Sequence, residues 1–221
     1  MEKRGLIIGN YRTVADGQWL LTSLHFSDAV QLTNFTDVPG RRKGPLDLST
    51  ALTDGDPTYG SRSLEAVFES SEGTRLERES RIQTMVNWLD GWKLNITLPD
   101  DPLHYIVGRV HVEKLYNDLA HASVRVTATC EPWKYNVSET EVNLTATEEA
   151  QTATLPNQGR LLLVPLLTIT GGTVLLQVGS SSWSLGAGTY ALPDLFLPQG
   201  GKAITFSGTG ALNFKYREAI L

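Results

Sequence analysis

Only once along 221 residues does the apolar pattern take up a helical period. Ile82, Met85, Val86 and Leu89 fall at i, i+3, i+4 and i+7, one face of an amphipathic helix. Ser80 and Gln83 form a capping-box pair at its predicted start, and Gly91 sits where a left-handed C-terminal cap belongs. The Met-containing stripe is read as core. Nearly everywhere else the apolar residues alternate with polar ones, the mark of half-buried strands. A chain with this pattern folds as a mainly β protein that carries one helix.

Before the helix, Leu20, Thr22, Leu24 and Phe26 share one parity after an Asp16-Gly17 turn, and Leu64, Ala66 and Phe68 share another. After it come Leu94, Ile96 and Leu98; then Ile106, Val110 and Val112 with Gly108 between them; then Val124, Val126, Ala128 and Cys130. These predict an antiparallel sheet with the helix packed on it, ending near Pro132-Trp133-Lys134-Tyr135. Residues 136–158 are rich in Thr, Glu and Asn, so a boundary is placed there, giving domains 1–135 and 136–221. From Leu161 onward short strand signals recur around Leu167, Val174, Trp183, Leu195–Leu197, Ile204 and Leu212, punctuated by glycine turns, which indicates a β-sandwich.

The stretch Val38–Phe68 lies between the first strand signal and the helix and is closed by the second. Its Pro39-Gly40 turn leads into three cations, Arg41, Arg42 and Lys43, followed by a loop rich in Asp and Gly. Ordering a long polar loop costs backbone entropy that buried surface must offset. Contact with neighbouring copies of the same chain supplies that surface. The candidate contact residues are Arg41, Arg42, Lys43, Asp54, Asp56, Tyr59 and Arg62.

Charge and motifs exclude several function classes. A net charge of −5 argues against a basic nucleic-acid-binding surface. The single cysteine, Cys130, leaves no intrachain disulfide, fits a reducing compartment and has the parity of a buried core thiol. The first residues hold too few consecutive apolar groups for a signal peptide, and no apolar run reaches transmembrane length. H-E-x-x-H, G-x-S-x-G, P-loop and metal-spaced Cys/His patterns do not occur. Gly186-Ala187-Gly188-Thr189-Tyr190-Ala191 matches a dinucleotide fingerprint but runs into Leu192-Pro193-Asp194, which continues no helix. His25, His104, His111 and His121 lie in or beside predicted strands, and Asp54-Gly55-Asp56 and Asp100-Asp101 read as turn chemistry. No cofactor and no metal is expected. Trp183 is the best candidate for stacking on a sugar, set against burial in a sandwich core.

An ordered series of segments resembles the siphophage distal tail protein family, the hub component of tail tips and baseplates. The series is Val38-Pro39-Gly40-Arg41, Gly44-Pro45-Leu46-Asp47-Leu48, Tyr59-Gly60-Ser61-Arg62, Trp88-Leu89-Asp90-Gly91, Asp100-Asp101-Pro102, Gly108-Arg109 and Pro132-Trp133-Lys134-Tyr135. Phe196-Leu197-Pro198 and Lys215-Tyr216-Arg217-Glu218 extend it over the second domain, so it covers nearly the whole chain. Arg42 and Lys43 enlarge the basic turn, and Lys202 stands where the family often has Asn.

The resemblance implies an N-terminal β-sandwich or split-barrel domain with one α-helix, and a C-terminal galectin-like β-sandwich. It implies a hexameric ring joining the tail tube protein to the tail-associated lysin, tail fibre or receptor-binding protein, with DNA passing through the hole. It implies no enzymatic activity, no sequence-specific nucleic acid binding and no membrane insertion. The location implied is the distal end of the virion tail, after assembly in the bacterial host cytoplasm. A carbohydrate-binding module of the adsorption apparatus, with Trp183 on the glycan, and the equivalent component of a tail-like bacteriocin are the alternatives.

Overall fold

The structure is a computed structural model that describes residues 5–39, 44–53 and 55–221. The chain divides into two compact units, Met1–Lys134 and Tyr135–Leu221. Unit 1 holds β1 (Ile7–Ile8), β2 (Tyr11–Arg12), β3 (Leu20–Phe26), β4 (Phe35–Thr36), β5 (Leu46–Asp47) and β6 (Arg62–Ser70). These are followed by α1 (Arg75–Leu89), β7 (Lys93–Leu98), β8 (Asp101–Asn117) and β9 (Ala122–Asn136), the last running on past the unit boundary. The main sheet has the order β2-β1-β7-β8-β9-β6-β3 and curves as a half-barrel, with β4 and β5 paired separately.

Register explains why this sheet has one dry face. β6 lies antiparallel to β9 with Leu64 opposite Ala128, Ala66 opposite Val126 and Phe68 opposite Val124, so two alternating apolar rows coincide. Ile106, Val110 and Val112 of β8 join them, and Ile82, Met85 and Leu89 of α1 close the core from above. Each large side chain so buried stabilises the unit by roughly 1.5–3 kcal/mol.

Two sequence expectations need correction here. In β3 the inward residues are Leu21, Leu24 and Phe26, because a β-bulge between Leu21 and Ser23 shifts the register and turns Leu20 and Thr22 outward. The helix also starts earlier than predicted. Thr74 is its N-cap: Thr74 Oγ1 accepts from the Glu77 amide at 3.3 Å, and Glu77 Oε2 accepts from the Thr74 amide at 2.6 Å. The true capping box is thus Thr74/Glu77, one and a half turns before Ser80/Gln83. It was hidden because the inward position of the first turns is occupied by Arg78, a charged residue that breaks the apolar stripe yet is 1% exposed. The C-terminal end is as expected, with Gly91 in the left-handed region (φ 77°).

Unit 2 contains β10 (Thr140–Ala146), β11 (Gln151–Leu155), β12 (Leu166–Thr170), β13 (Val174–Val178), β14 (Ser181–Leu185), β15 (Gly188–Ala191), β16 (Lys202–Gly208), β17 (Gly210–Tyr216) and β18 (Ala219–Ile220). Two sheets, β10-β17-β12-β15 and β11-β16-β13-β14, enclose one core that includes Leu155, Leu167, Ile169, Leu176, Phe206 and Phe214. This is a β-sandwich. The Thr- and Glu-rich segment after residue 136 is part of it: β10 and β11 each form an edge of one sheet, with Val142, Leu144 and Ala153 packed against the core and polar residues outward.

The expected strand at Leu195–Leu197 reduces to a single bridge between Leu163 and Leu197. Buried Asn157 holds that region, donating to the carbonyls of Leu161 (3.0 Å) and Leu197 (2.9 Å) and accepting from the Gly159 amide (3.0 Å). The C-terminal segment ties back to the start of the unit: Arg217 donates to the carbonyls of Asn136 (2.6 Å) and Val137 (2.5 Å), and the Glu218 carbonyl accepts from Asn136 (2.9 Å). Burial, reinforced by the Glu218 charge, pushes the Tyr216 hydroxyl up to about 12.

Candidate subunit interface

The segment between β3 and β6 is built as an arm. Its two limbs are laced by main-chain hydrogen bonds: Ser27 to Ser63, Gly60 to Val30, Leu32 to Thr58 and Leu48 to Asn34, all between 2.7 and 2.9 Å. Ser49 stiffens the far part, its hydroxyl accepting from the Asn34 amide (2.8 Å) and its amide donating to Asp47 Oδ1 (2.9 Å). Hydrogen bonding from the Ser49 hydroxyl and from the Ser49 amide holds the Asp47 carboxyl below its usual range. The β4–β5 pair adds Phe35 opposite Asp47 and Thr36 opposite Leu46.

What this arm presents is apolar. Phe35 is 61% exposed and Leu32 53%, with Val30, Val38 and Leu52 also exposed. A dent of about 240 Å³ lies among Leu32, Asn34, Leu48, Leu52 and Thr58. A hairpin that shows water this many large apolar side chains is a candidate interaction surface. These apolar residues are candidates beside the charged and polar ones proposed from the sequence, and no sequence pattern singles them out. Their irregular spacing across two limbs is why: only the pairing of the limbs brings them onto one structure.

Arg41, Arg42, Lys43 and Asp54 lie outside the described residues. Asp56 is exposed at a turn in which its amide donates to the Thr53 carbonyl (2.9 Å). Tyr59 is half-buried, bridged to Gln31 and edge-on to Trp133 at 5.7 Å. Arg62 is buried, with its guanidinium 4.0 Å over the Phe26 ring, Nε donating to the Ser27 carbonyl (2.8 Å) and Nη1 to Pro132 (3.4 Å). Burial lowers its pKa, and this arginine acts at the root of the arm, joining β3, β6 and β9. Trp183, on edge strand β14, is half-buried and packs against the unit 2 core, opposite Leu176.

The remaining polar groups singled out in the sequence take structural places. The fingerprint-like glycines form β15 and its approach, with the Tyr190 hydroxyl donating to the Gly186 carbonyl (3.1 Å). His111 Nδ1 meets Asp90 at 2.7 Å. Asp101 sits between His104 Nδ1 (2.6 Å) and Lys134 Nζ (3.2 Å). Burial pushes the Asp101 carboxyl up, but these two partners outweigh it and hold it below the usual range. A depressed folded-state value gives stability that is present above the unfolded carboxylate pKa and is lost as pH falls through the folded one. Asp101→Asn is therefore expected to flatten the acid limb of a denaturation-midpoint profile below about pH 4. An acid limb of unchanged slope in the variant would rule this out. Among the described residues no group of three or more His, Cys, Asp or Glu is placed to hold a metal ion, and no helix is long and apolar enough to cross a membrane.

No family model matches the chain, and no curated protein matches it. Among solved structures it is similar over its whole length to the whole of the Dit (gp 19.1) protein of phage SPP1, with a TM-score of 0.68 and 16% identity. That protein is described as a paradigm of the hub adsorption apparatus in phages infecting Gram-positive bacteria. The shared property is the fold: one helix on a half-barrel sheet, followed by a two-sheet sandwich.

Proposed function

We propose that this chain is a structural hub protein at the distal end of a phage tail and not an enzyme, its work being contact between copies and with other tail proteins. The observation that carries this reading is the arm at residues 27–61, whose apolar side chains its own chain leaves uncovered. The full-length likeness to a phage hub protein supports the setting. Copies of unit 1 form a closed ring, which a head-to-tail contact makes when its rotation divides a full turn, and six copies is the number that the resemblance to distal tail proteins implies. The ring stands between the tail tube protein and the tail-associated lysin, fibre or receptor-binding protein, and DNA passes through its hole. Unit 2 adds a β-sandwich to each copy.

Negative-stain images and light-scattering mass of the purified full chain test this. A ring of about six copies is the expected result. A protein that stays monomeric at high concentration and alongside its tail neighbours overturns it. Within this reading, Leu32→Ser combined with Phe35→Ser is expected to leave a folded monomer, since truncating interface anchors costs about 2 kcal/mol each. Rings of normal size from that variant would remove the arm from the interface.

A further inference from the structure

We propose that Arg62 and Tyr59 are positioning residues for assembly: they clasp the root of the arm to β9 and so fix the direction in which the arm is offered. This deepens the ring reading and rests on it. Neither residue has to touch a second copy, because both act through the arm.

The arm leaves the sheet after Phe26, the last residue of β3, and rejoins it at Arg62, the first residue of β6. Beyond this root the amides of Leu32, Leu48 and Gly60 donate across to the opposite limb of the same arm. Such bonds stiffen a hairpin internally but do not set its angle to the sheet. Its aim is set where the root joins a third element, and β9 is that element.

Two side chains of the returning limb reach two consecutive residues of β9. Arg62 Nη1 donates to the Pro132 carbonyl (3.4 Å), and the Tyr59 ring stands edge-on to Trp133, 5.7 Å between centroids and 72° between planes. The same guanidinium catches the outgoing limb, with Nε donating to the Ser27 carbonyl (2.8 Å) and the Phe26 ring 4.0 Å beneath it. One planar group thus joins both limbs to β9. At 5% exposure Arg62 lies too deep to serve as a surface contact, so its influence on a partner is indirect.

Close packing carries this setting out to the apolar part of the arm. Between the two clasping residues the Gly60 amide donates to the Val30 carbonyl (2.9 Å), and a Cβ at Gly60 would stand 3.3 Å from Leu32 Cδ2. Val30 and Leu32, both exposed, therefore follow wherever the root points. Binding has to order any segment that moves in the free chain, and an arm already set avoids that loss of freedom.

The test uses full-length variants whose folding is checked by circular dichroism. Arg62→Met keeps the length of the side chain and removes its donors. It is expected to speed amide exchange at Ser27 and Ser63, whose amides bond across the root, and to weaken self-association by light scattering at least about 10-fold. Ser27 and Ser63 follow the Phe26–Leu64 pair in the ladder, at a spacing that a disulfide can span. Adding Ser27→Cys and Ser63→Cys to Arg62→Met is expected to restore assembly to within about threefold of wild type when oxidised, and to lose it again when reduced. Should Arg62→Met fail the folding check, Tyr59→Leu, which releases Trp133, takes its place with the same expectations. Full-affinity rings from the uncrosslinked variant, or an oxidised variant that stays monomeric, overturn the clasp and leave the ring reading in place. A wild-type chain that never assembles removes the ring reading, and unchanged exchange at the root then still overturns the clasp.

Discussion

Replacing Arg78 with methionine is expected to destabilise unit 1 by about 2–4 kcal/mol, the cost of orphaning several hydrogen-bond acceptors that a buried cation had satisfied. Methionine has similar length and good helix propensity, so it isolates the guanidinium. In the folded chain Arg78 Nη1 donates to the Gly73 carbonyl (2.5 Å), and Nη2 donates to the carbonyls of Asp118 (2.9 Å) and Leu119 (3.1 Å). It thus joins the turn before α1 to the turn between β8 and β9. Asn117 completes the junction, its side-chain amide donating to the Arg75 carbonyl (3.1 Å) and to Glu79 Oε2 (2.8 Å). Arg78→Lys keeps the charge but has no planar fork to reach diverging carbonyls, and is expected to recover only part of the loss. Urea denaturation of the full chain, followed by tryptophan fluorescence, measures both. A methionine variant within about 0.5 kcal/mol of wild type would show that water or slack in the turns replaces the guanidinium.

The second large effect concerns Gly108. A Cβ built there meets Cys130 Sγ at 2.6 Å, with Ala128 Cβ and the Thr129 carbonyl oxygen both at 3.3 Å. Gly108→Ala is expected to cost about 1–3 kcal/mol as overpacking. Most of that clash is with one atom. Cys130→Ala removes it, and the double variant is expected to be more stable than Gly108→Ala alone, with a coupling of at least about 1 kcal/mol in a double-mutant cycle. Additive effects would place the strain in the main chain instead. The same packing explains the state of the thiol: burial pushes Cys130 up to about 11 despite the nearby Arg62 cation, so at neutral pH it is a small apolar filler of the sheet.

Both residues show the limit of reading patterns. Gly108 looked like an interruption in a strand, and it is one in sequence; in the sheet it is the space that a neighbouring sulfur fills. Arg78 interrupts the apolar period of α1 and so leaves its first turns outside that pattern. In each case the deciding partner lies on an element remote in the chain, where no local period records it.

Taken alone, the order of the residues determined the elements with the plainest periods. Leu64, Ala66 and Phe68, the row from Val124 to Cys130, and Ile82, Met85 and Leu89 face inward as their spacing requires, because a strand turns its side chains every two residues and a helix every 3.6. The mainly β class and the single helix followed from that. Tertiary structure decided what depends on pairing. It placed the bulge that turns Leu20 and Thr22 outward, brought the Thr- and Glu-rich segment into the sandwich as edge strands, buried Arg62 and Arg78 among carbonyls, and gathered Val30, Leu32 and Phe35 on an arm. Burial is a property of a residue's neighbours in space, and for these positions most of the neighbours that matter come from another part of the chain.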